Sequence, residues 1–172
     1  MARELGRFHV NLFEQPLPAT EVEVMKEVRR LATVPIALDE SIWSIADLMR
    51  AIKADALDGI VVKATKMGGI LKAKEIGEMA KAHHLQLIGG GLTESRLGFV
   101  ASAILFHSLG IKTPVDLNGP FFLKDDATTL HDELIRGEEN LPTGYGWGVE
   151  VHHEKISKYL NPAIHYDAEF TK

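Results

Sequence analysis

The chain has 172 residues, enough for one domain with a sizeable core, and its 45 % hydrophobic and 25 % charged residues are typical of a soluble globular protein. The net charge of −5 argues against a general nucleic-acid binder, and no apolar run approaches the length of a membrane span. Because the sequence has no cysteine and no apolar signal core near Met1, we expect a cytoplasmic protein without disulfides or thiolate metal sites.

Five short apolar runs recur along the chain at nearly even intervals. They cover residues 10–13, 35–38, 59–62, 85–88 and 113–115. The residues just beyond them are Glu14, Asp39, Lys63, Gly89 and Asp116. An apolar run, a polar residue and a helical stretch together form a β/α unit, and repeated units build a parallel sheet. The sequence therefore predicts about five parallel strands.

Helix signals lie between these strands. Thr20 with Glu23, and Ser44 with Asp47, have the spacing of a capping box and predict two helix starts. A third helix is predicted after Gly68 and Gly69, and a fourth, apolar nearly all round, over residues 96–109. A short final helix is predicted over residues 154–160. The first four helices provide the crossovers between the strands.

These elements predict one α/β domain over residues 1–160 and a polar tail over 161–172. A complete eight-stranded barrel needs about 250 residues, which this chain does not have. Five strands can form an open sheet, but the similar crossover lengths and the lack of a reversal in winding favour a partial (β/α) TIM-type barrel. Residues 3–6 have the pattern of the last turn of a helix, which also predicts a truncated barrel.

Three ionisable residues are predicted to lie at the same end of this sheet. Glu14, Asp39 and Lys63 each follow a strand, and chemistry in parallel sheets collects at the carboxyl ends of the strands. Two carboxylates and one amine there predict a hard-cation site beside a proton-transfer base. Taken singly, Glu14 could be an ordinary strand-end carboxylate and Asp39 a helix initiator. The joint spacing is more informative than any one of them.

The motifs around these residues resemble the enolase superfamily, specifically its muconate-lactonising and dipeptide-epimerase branch. The resemblance extends from about residue 5 to residue 160. It is carried by residues 13–18 (FEQPLP), 36–41 (IALDES), 63–69 (KATKMGG), 90–95 (GGLTES), 116–120 (DLNGP) and 146–150 (GWGVE). It implies that the chain is the C-terminal part of a (β/α)7β barrel whose parent reaction removes the α-proton of a carboxylate substrate through an enediolate.

The resemblance also implies a role for individual residues. Glu14 and Asp39 match two carboxylate ligands of Mg²⁺, and Lys63 matches the base on the sixth barrel strand. Asp116 matches an acidic residue that contacts the substrate. A lysine near a bound cation is expected to have a lowered pKa, because the cation disfavours the ammonium form.

The substrate implied by the resemblance is a small carboxylate such as a dipeptide of the L-Ala-D/L-Glu type. Asp116 favours a dipeptide epimerase, whereas Asn118 replaces an aspartate that is common in that group. Muconate-type cycloisomerase and o-succinylbenzoate synthase-like activities remain alternatives. Lys66 and Glu94 complete the implied substrate-binding residues, with Lys66 expected beside the site or facing solvent rather than catalytic.

Two parts of the family's site have no match in this sequence: the third-strand aspartate and a Lys-x-Lys motif on the second strand. The chain alone is therefore expected to be inactive. Unpaired strand edges near Val10 and Val115 predict self-association or docking with an N-terminal half. A non-catalytic half-barrel and a phosphate-binding half-barrel with an anion cradle at residues 89–91 are the competing interpretations.

Overall fold

Four short parallel strands form the centre of the protein in the computed structural model, which describes residues 1–128, 137–158 and 160. The strands are β1 (Phe13–Glu14), β2 (Ile36–Leu38), β3 (Gly59–Val62) and β4 (Gln86–Gly89). They are hydrogen-bonded in chain order, β1-β2-β3-β4, and every pair is parallel. This order confirms a partial (β/α) barrel, since the winding never reverses.

The fifth predicted strand is reduced to a single parallel bridge. Asp116 pairs with Gly90, and its N–H donates to the Gly89 carbonyl at 3.1 Å. The ladder does not extend backwards because Pro114 has no N–H to donate to β4. The chain nevertheless places Asp116 beside the end of β4.

Strand β1 begins later than the predicted start at residue 10. The first ladder bonds join the Phe13 N–H to the Pro35 carbonyl and the Gln15 N–H to the Ala37 carbonyl, both at 2.8 Å. Pro35 has no N–H with which to extend the ladder towards Asn11. The apolar run at residues 10–13 is therefore only partly a strand.

Helices connect the strands as predicted. The helices are α1 (Val22–Leu31), α2 (Ile45–Lys53), α3 (Ile70–Ala82), α4 (Arg96–Leu109) and α5 (His153–Ser157), and short 3-10 helices cover Leu5–Phe8 and Gly119–Phe122. Helix α5 begins one residue earlier than predicted and ends at Ser157, whereas the predicted tail lies outside the described residues. In the parts of the chain that the structure describes, none of the helices is long and apolar enough to cross a bilayer.

The helix starts follow the sequence signals with one exception. The Ser44 hydroxyl accepts the Asp47 N–H at the start of α2, and Gly68 and Gly69, with φ of 83° and 99°, lead into α3. The capping box predicted at Thr20 is not formed. The N-cap position of α1 is Glu21, whose side chain makes no capping hydrogen bond, because a turn from the Glu21 N–H to the Pro18 carbonyl at 2.9 Å includes Thr20.

The core lies between the sheet and the helices. The buried core side chains include Met25, Ile36, Leu38, Leu48, Ile60, Val62, Ile76, Val100 and Leu105. Because successive strand residues point to opposite faces, Ala37 and Val61 lie on the other face, outside this cluster. That second face carries the polar residues at the strand ends.

The N-cap of α2 gives a test of the fold. Ser44→Ala removes an acceptor for the Asp47 N–H at 3.2 Å and a donor to Asp47 Oδ2 at 2.8 Å. We expect the free energy of unfolding to fall by about 1 kcal/mol in urea titrations. Ser95→Ala is the matched comparison, since the Ser95 hydroxyl lies 3.4 Å from the Gly98 nitrogen and should contribute less. Equal losses in the two variants would contradict this ranking.

Candidate active site

Glu14, Asp39 and Lys63 lie on one face of the sheet and reach one rim. Glu14 pairs with Ala37, and Asp39 follows Ala37 by two residues, so their side chains share a face. Continuing the register of β2 with β3 places Asp39 level with Val61, and Lys63 again follows by two residues. This stepwise stagger is that of tilted barrel strands and brings the three side chains together at the carboxyl end.

Asp39 is the centre of the site. Its Oδ2 accepts a hydrogen bond from Lys63 Nζ at 2.5 Å, and its Oδ1 accepts one from Lys66 Nζ at 2.7 Å. Lys66 Nζ also donates to the Asp39 carbonyl at 2.6 Å and to the Val61 carbonyl at 3.2 Å. Asp39 is only 1 % exposed, and the Lys66 side chain is 4 % exposed. A buried carboxylate is thus held between two ammonium groups.

Lys66 does not face solvent, which was one of the two positions expected for it; it is buried beside the site. Its ammonium is buried under the rim and bonds to Asp39 and to the backbone of β3. These contacts fit a residue that supports Asp39 better than one that touches a substrate directly. Nothing in the sequence pattern of Lys63 and Lys66 indicates which of the two lysines turns inward.

The pKa values follow from this pairing. Burial alone would raise the pKa of Asp39, but the hydrogen bonds from Lys63 and Lys66 outweigh it and hold the pKa below its ordinary value. Burial would lower the pKa of Lys63, but the hydrogen bond and charge of Asp39 raise it. For Lys66 burial dominates, so its pKa is lowered. In the chain without a cation the pKa of Lys63 is therefore raised, since its nearest partner is an anion, and the lowered pKa expected beside a bound cation stays a prediction.

Glu14 lies at the exposed end of β1, next to this cluster. Partial burial raises its pKa first, and the negative charge of Asp39 raises it further, whereas Lys63 acts in the opposite direction. After burial, the charge of the Asp39 carboxylate is the largest cause that disfavours ionisation of Glu14. A cation placed between Glu14 and Asp39 would relieve that repulsion.

Gln15 is a site residue that the sequence reasoning missed. Its Oε1 accepts the N–H groups of Asp39 at 2.8 Å and Ser41 at 3.3 Å. Its Nε2 donates to Ser41 Oγ and to the Leu17 carbonyl, both at 2.8 Å. The signal was its position between Glu14 and a proline, where a buried amide would have several backbone groups to bond.

Asp116 and Asn118 lie at the same rim, beyond Lys63. Gly90 pairs with Asp116, and Lys63 runs directly beside Gly90. Both Asp116 and Asn118 are exposed, and Asn118 Nδ2 donates to Asp116 Oδ1 at 3.0 Å. The structure therefore brings this pair to the side of the rim opposite Glu14, where it can face a ligand.

Glu94 is buried in the loop after β4. Its Oε1 accepts the Leu92 N–H at 2.8 Å, whereas Oε2 is buried and has no hydrogen-bond partner among the described residues. A buried carboxylate oxygen without a partner is costly unless it is protonated or meets a ligand. The substrate-binding role expected for Glu94 stays a prediction.

The three glycines at residues 89–91 are required for close packing rather than for an open cradle. A Cβ at Gly90 would lie 2.9 Å from Lys63 Cε, and one at Gly91 would lie 2.7 Å from Glu94 Oε2. Gly89 is equally crowded by side chains from α4 and from the segment before Asp116. None of the three has a left-handed φ. The phosphate-cradle interpretation is therefore not supported.

The residues at the rim fit part of a Mg²⁺ ligand set. Glu14 and Asp39 supply hard oxygen donors, and the charge of Asp39 adds to burial in raising the pKa of Glu14. Across residues 1–128, 137–158 and 160, however, no group of three or more histidine or acidic side chains is placed to hold a metal ion. The described residues thus offer two carboxylates, Glu14 and Asp39, as candidate ligands.

Comparison with known proteins identifies the family. The profile described as "Enolase C-terminal domain-like" matches residues 1–155. Muconate cycloisomerase 1 of Rhodococcus opacus is 32 % identical over 151 residues, which cover 87 % of this chain and 40 % of the relative. L-Ala-D/L-Glu epimerase of Francisella tularensis subsp. novicida is 31 % identical over 150 residues, which cover 84 % of this chain and 42 % of the relative.

Solved structures agree with the sequence matches. The dipeptide epimerase of Cytophaga hutchinsonii, complexed with Mg and the dipeptide D-Ala-L-Val, superposes with a TM-score of 0.78 at 27 % identity. The match covers 90 % of this chain and 42 % of the epimerase. The chain thus spans about two fifths of the length of the relatives it matches. With the profile covering nearly the whole described fold, the chain belongs to the Enolase C-terminal domain-like family of the enolase superfamily.

Proposed function

We propose that this chain forms the C-terminal barrel part of a Mg²⁺-dependent isomerase that removes the α-proton of a carboxylate substrate. The observation that carries the proposal is the gathering of Glu14, Asp39 and Lys63 at one rim, with Lys63 Nζ 2.5 Å from Asp39 Oδ2. A cytoplasmic location is part of the same proposal and is supported by the absence of cysteine.

Lys63 is the group that would move the proton. In the proposed reaction its neutral amine accepts the α-proton, the C–H electron pair moves into the substrate carboxylate, and an enediolate results. The raised pKa makes Lys63 an ammonium in the chain alone, so it is ready to return a proton and must lose one before it can act as the base. Mg²⁺, held by Glu14 and Asp39, would supply positive charge next to the substrate carboxylate.

The substrate is proposed to be a dipeptide. The exposed Asp116 carboxylate faces the rim and could pair with the ammonium group of a dipeptide, while Asn118 adds a neutral amide beside it. Similarity to the epimerase of Cytophaga hutchinsonii, which binds a dipeptide, supports this choice. Muconate-type cycloisomerisation is the alternative, supported by similarity to muconate cycloisomerase 1.

The partner is proposed to be a chain carrying the N-terminal half of an enolase-superfamily protein. The described residues offer two carboxylate ligands and one base, which can reach only one face of a planar enediolate. Within the described residues no strand pairs with the outer edge of β1, and the outer edge of β4 is paired only through the Gly90–Asp116 bridge. Val10 and Val115, which lie beside these edges, are 38 % and 40 % exposed. A half that pairs with these edges would bring the third ligand and the opposing base to the rim. Pairing of two copies of this chain is the competing arrangement.

Complementation tests the proposal. We expect the 172-residue chain alone to give no deuterium incorporation from D₂O into L-Ala-L-Glu with Mg²⁺. Mixing it with an N-terminal fragment of the Cytophaga epimerase type should give a complex on size-exclusion chromatography and exchange at the α-carbon. Muconate analogues are run in parallel to separate the two substrate classes.

Three outcomes would contradict the proposal. Exchange by the chain alone would show that Glu14, Asp39 and Lys63 suffice for α-proton removal without a partner half. A stable monomer that binds no fragment would remove the proposed partner. A complex that forms but exchanges no α-proton in either substrate class would contradict the proposed reaction, although the fold assignment would stand.

A further inference from the structure

Gln15 joins the two loops that carry the carboxylates. It follows Glu14 directly at the end of β1, and its side chain crosses to the loop after β2. We propose that Gln15 is a positioning residue that fixes the Asp39 and Glu14 carboxylates relative to each other, so that the pair can share one divalent cation. This inference rests on the metal site in the proposed function.

The Gln15 side-chain amide makes four hydrogen bonds, which we call the clamp. An acidic or an apolar side chain could not form all four. The oxygen accepts two backbone N–H groups, from Asp39 and Ser41, and the nitrogen donates to Ser41 Oγ and the Leu17 carbonyl. A carboxylate could accept but could not donate. Asp39 and Ser41 are buried, so their N–H groups would otherwise lack partners in a dry environment.

The backbone conformation of Gln15 supports a specific role. Its φ is 38°, in the left-handed region that residues other than glycine seldom adopt. A residue stays in such a conformation only when the surrounding structure fixes it, and such residues cluster at functional sites. Here the conformation turns the Gln15 side chain towards β2 while Glu14 keeps its place on the rim face.

The clamp also opposes the pull of the two lysines. Lys63 and Lys66 attract the Asp39 carboxylate from the β3 side. Gln15 holds the Asp39 backbone from the β1 side, through a bond of 2.8 Å. With both sides fixed, the Asp39 carboxylate stays beside Glu14. Without the clamp, Asp39 is free to follow the lysines.

The test compares Gln15→Met with Gln86→Met in the 172-residue chain. Gln86 is exposed on β4 and is not part of the site, so it is the matched control. We expect Gln15→Met to lose hydrogen-exchange protection at the Asp39 and Ser41 amides and to shift the carboxyl ¹³C resonances of Glu14 and Asp39. Its apparent Kd for Mn²⁺, read from line broadening at those residues, should rise about tenfold or more. Gln86→Met should change none of these.

Ser41→Ala is a second variant in case Gln15→Met does not fold. It removes one acceptor of the clamp and should give smaller changes of the same kind. Unchanged amide protection and carboxyl resonances in Gln15→Met would overturn the inference. Lost protection with unchanged Mn²⁺ affinity would also overturn it, because the role would then be merely structural. If the wild-type chain binds Mn²⁺ neither alone nor mixed with the N-terminal half, the proposed metal site fails, and the positioning role of Gln15 is judged on the carboxyl resonances alone.

Discussion

Asp39→Ala is expected to lower the free energy of unfolding by about 3–5 kcal/mol, the range measured when one partner of a buried ion pair is removed. Among the residues that the structure describes, Asp39 is the only acidic side chain paired with Lys66, and it also binds Lys63. Removing it leaves a lysine whose side chain is only 4 % exposed without an anion. Burial already lowers the pKa of Lys66, so the loss of Asp39 should lower that pKa further.

Urea unfolding at neutral pH measures this effect. Asp55→Ala is the matched control, because Asp55 pairs with Arg29 at 2.5 Å but its side chain is 63 % exposed. The free energy of unfolding of Asp55→Ala should fall by less than about 1 kcal/mol. The double variant Asp39→Leu with Lys66→Met should recover part of the lost stability, since an apolar pair leaves no buried charge. A loss in Asp39→Ala no larger than that in Asp55→Ala would mean that the two lysines are not held by Asp39.

The position of the three site residues could be predicted from the sequence because it depends on simple geometry. Parallel strands bring their carboxyl ends to one edge, and a polar residue after each apolar run is therefore carried to that edge. The structure brings Glu14, Asp39 and Lys63 together there. The helix start at Ser44 was predictable for a similar reason, since capping depends on residues three apart.

The lengths of the strands could not be read from hydrophobicity. An apolar run marks where a strand can lie, but ladder bonds require N–H groups on both partners. Pro35 and Pro114 each lack one, so β1 is shortened to two residues and the fifth strand to one bridge. Both prolines were visible in the sequence. The register that makes them decisive is a property of the assembled sheet.

The contacts of Gln15, Lys66 and Glu94 were also beyond the sequence. Each depends on how side chains turn after the backbone is folded: Gln15 across to β2, Lys66 inward under the rim and Glu94 beneath the loop after β4. The raised pKa of Lys63 belongs to the same group, because it results from an anion 2.5 Å away. Sequence spacing places residues near one another but does not decide which of them pair.

Lys63→Met is expected to reduce α-proton exchange about 10²–10⁴-fold in the complex of this chain with an N-terminal half, the range that a positioned acid or base contributes. Methionine keeps much of the side-chain length but can neither accept nor return a proton. The fold should survive, because Asp39 keeps both hydrogen bonds from Lys66 Nζ, one to its Oδ1 and one to its main-chain carbonyl. Deuterium incorporation from D₂O into L-Ala-L-Glu measures the exchange, and circular dichroism checks the fold.

Lys72→Met is the matched control for Lys63→Met, because it makes the same chemical change on the exposed surface of α3, where Lys72 pairs with Glu75 at 3.2 Å. Its exchange rate should stay within about twofold of the wild type, since surface pairs of this kind contribute little. Equal exchange rates in Lys63→Met and Lys72→Met would mean that Lys63 takes no part in the proton transfer. The partner half would then carry out the whole transfer. A loss confined to one epimer of the substrate, L-Ala-L-Glu or L-Ala-D-Glu, would instead support the proposal most strongly, because a single lysine on one side of the rim serves only one face of the enediolate.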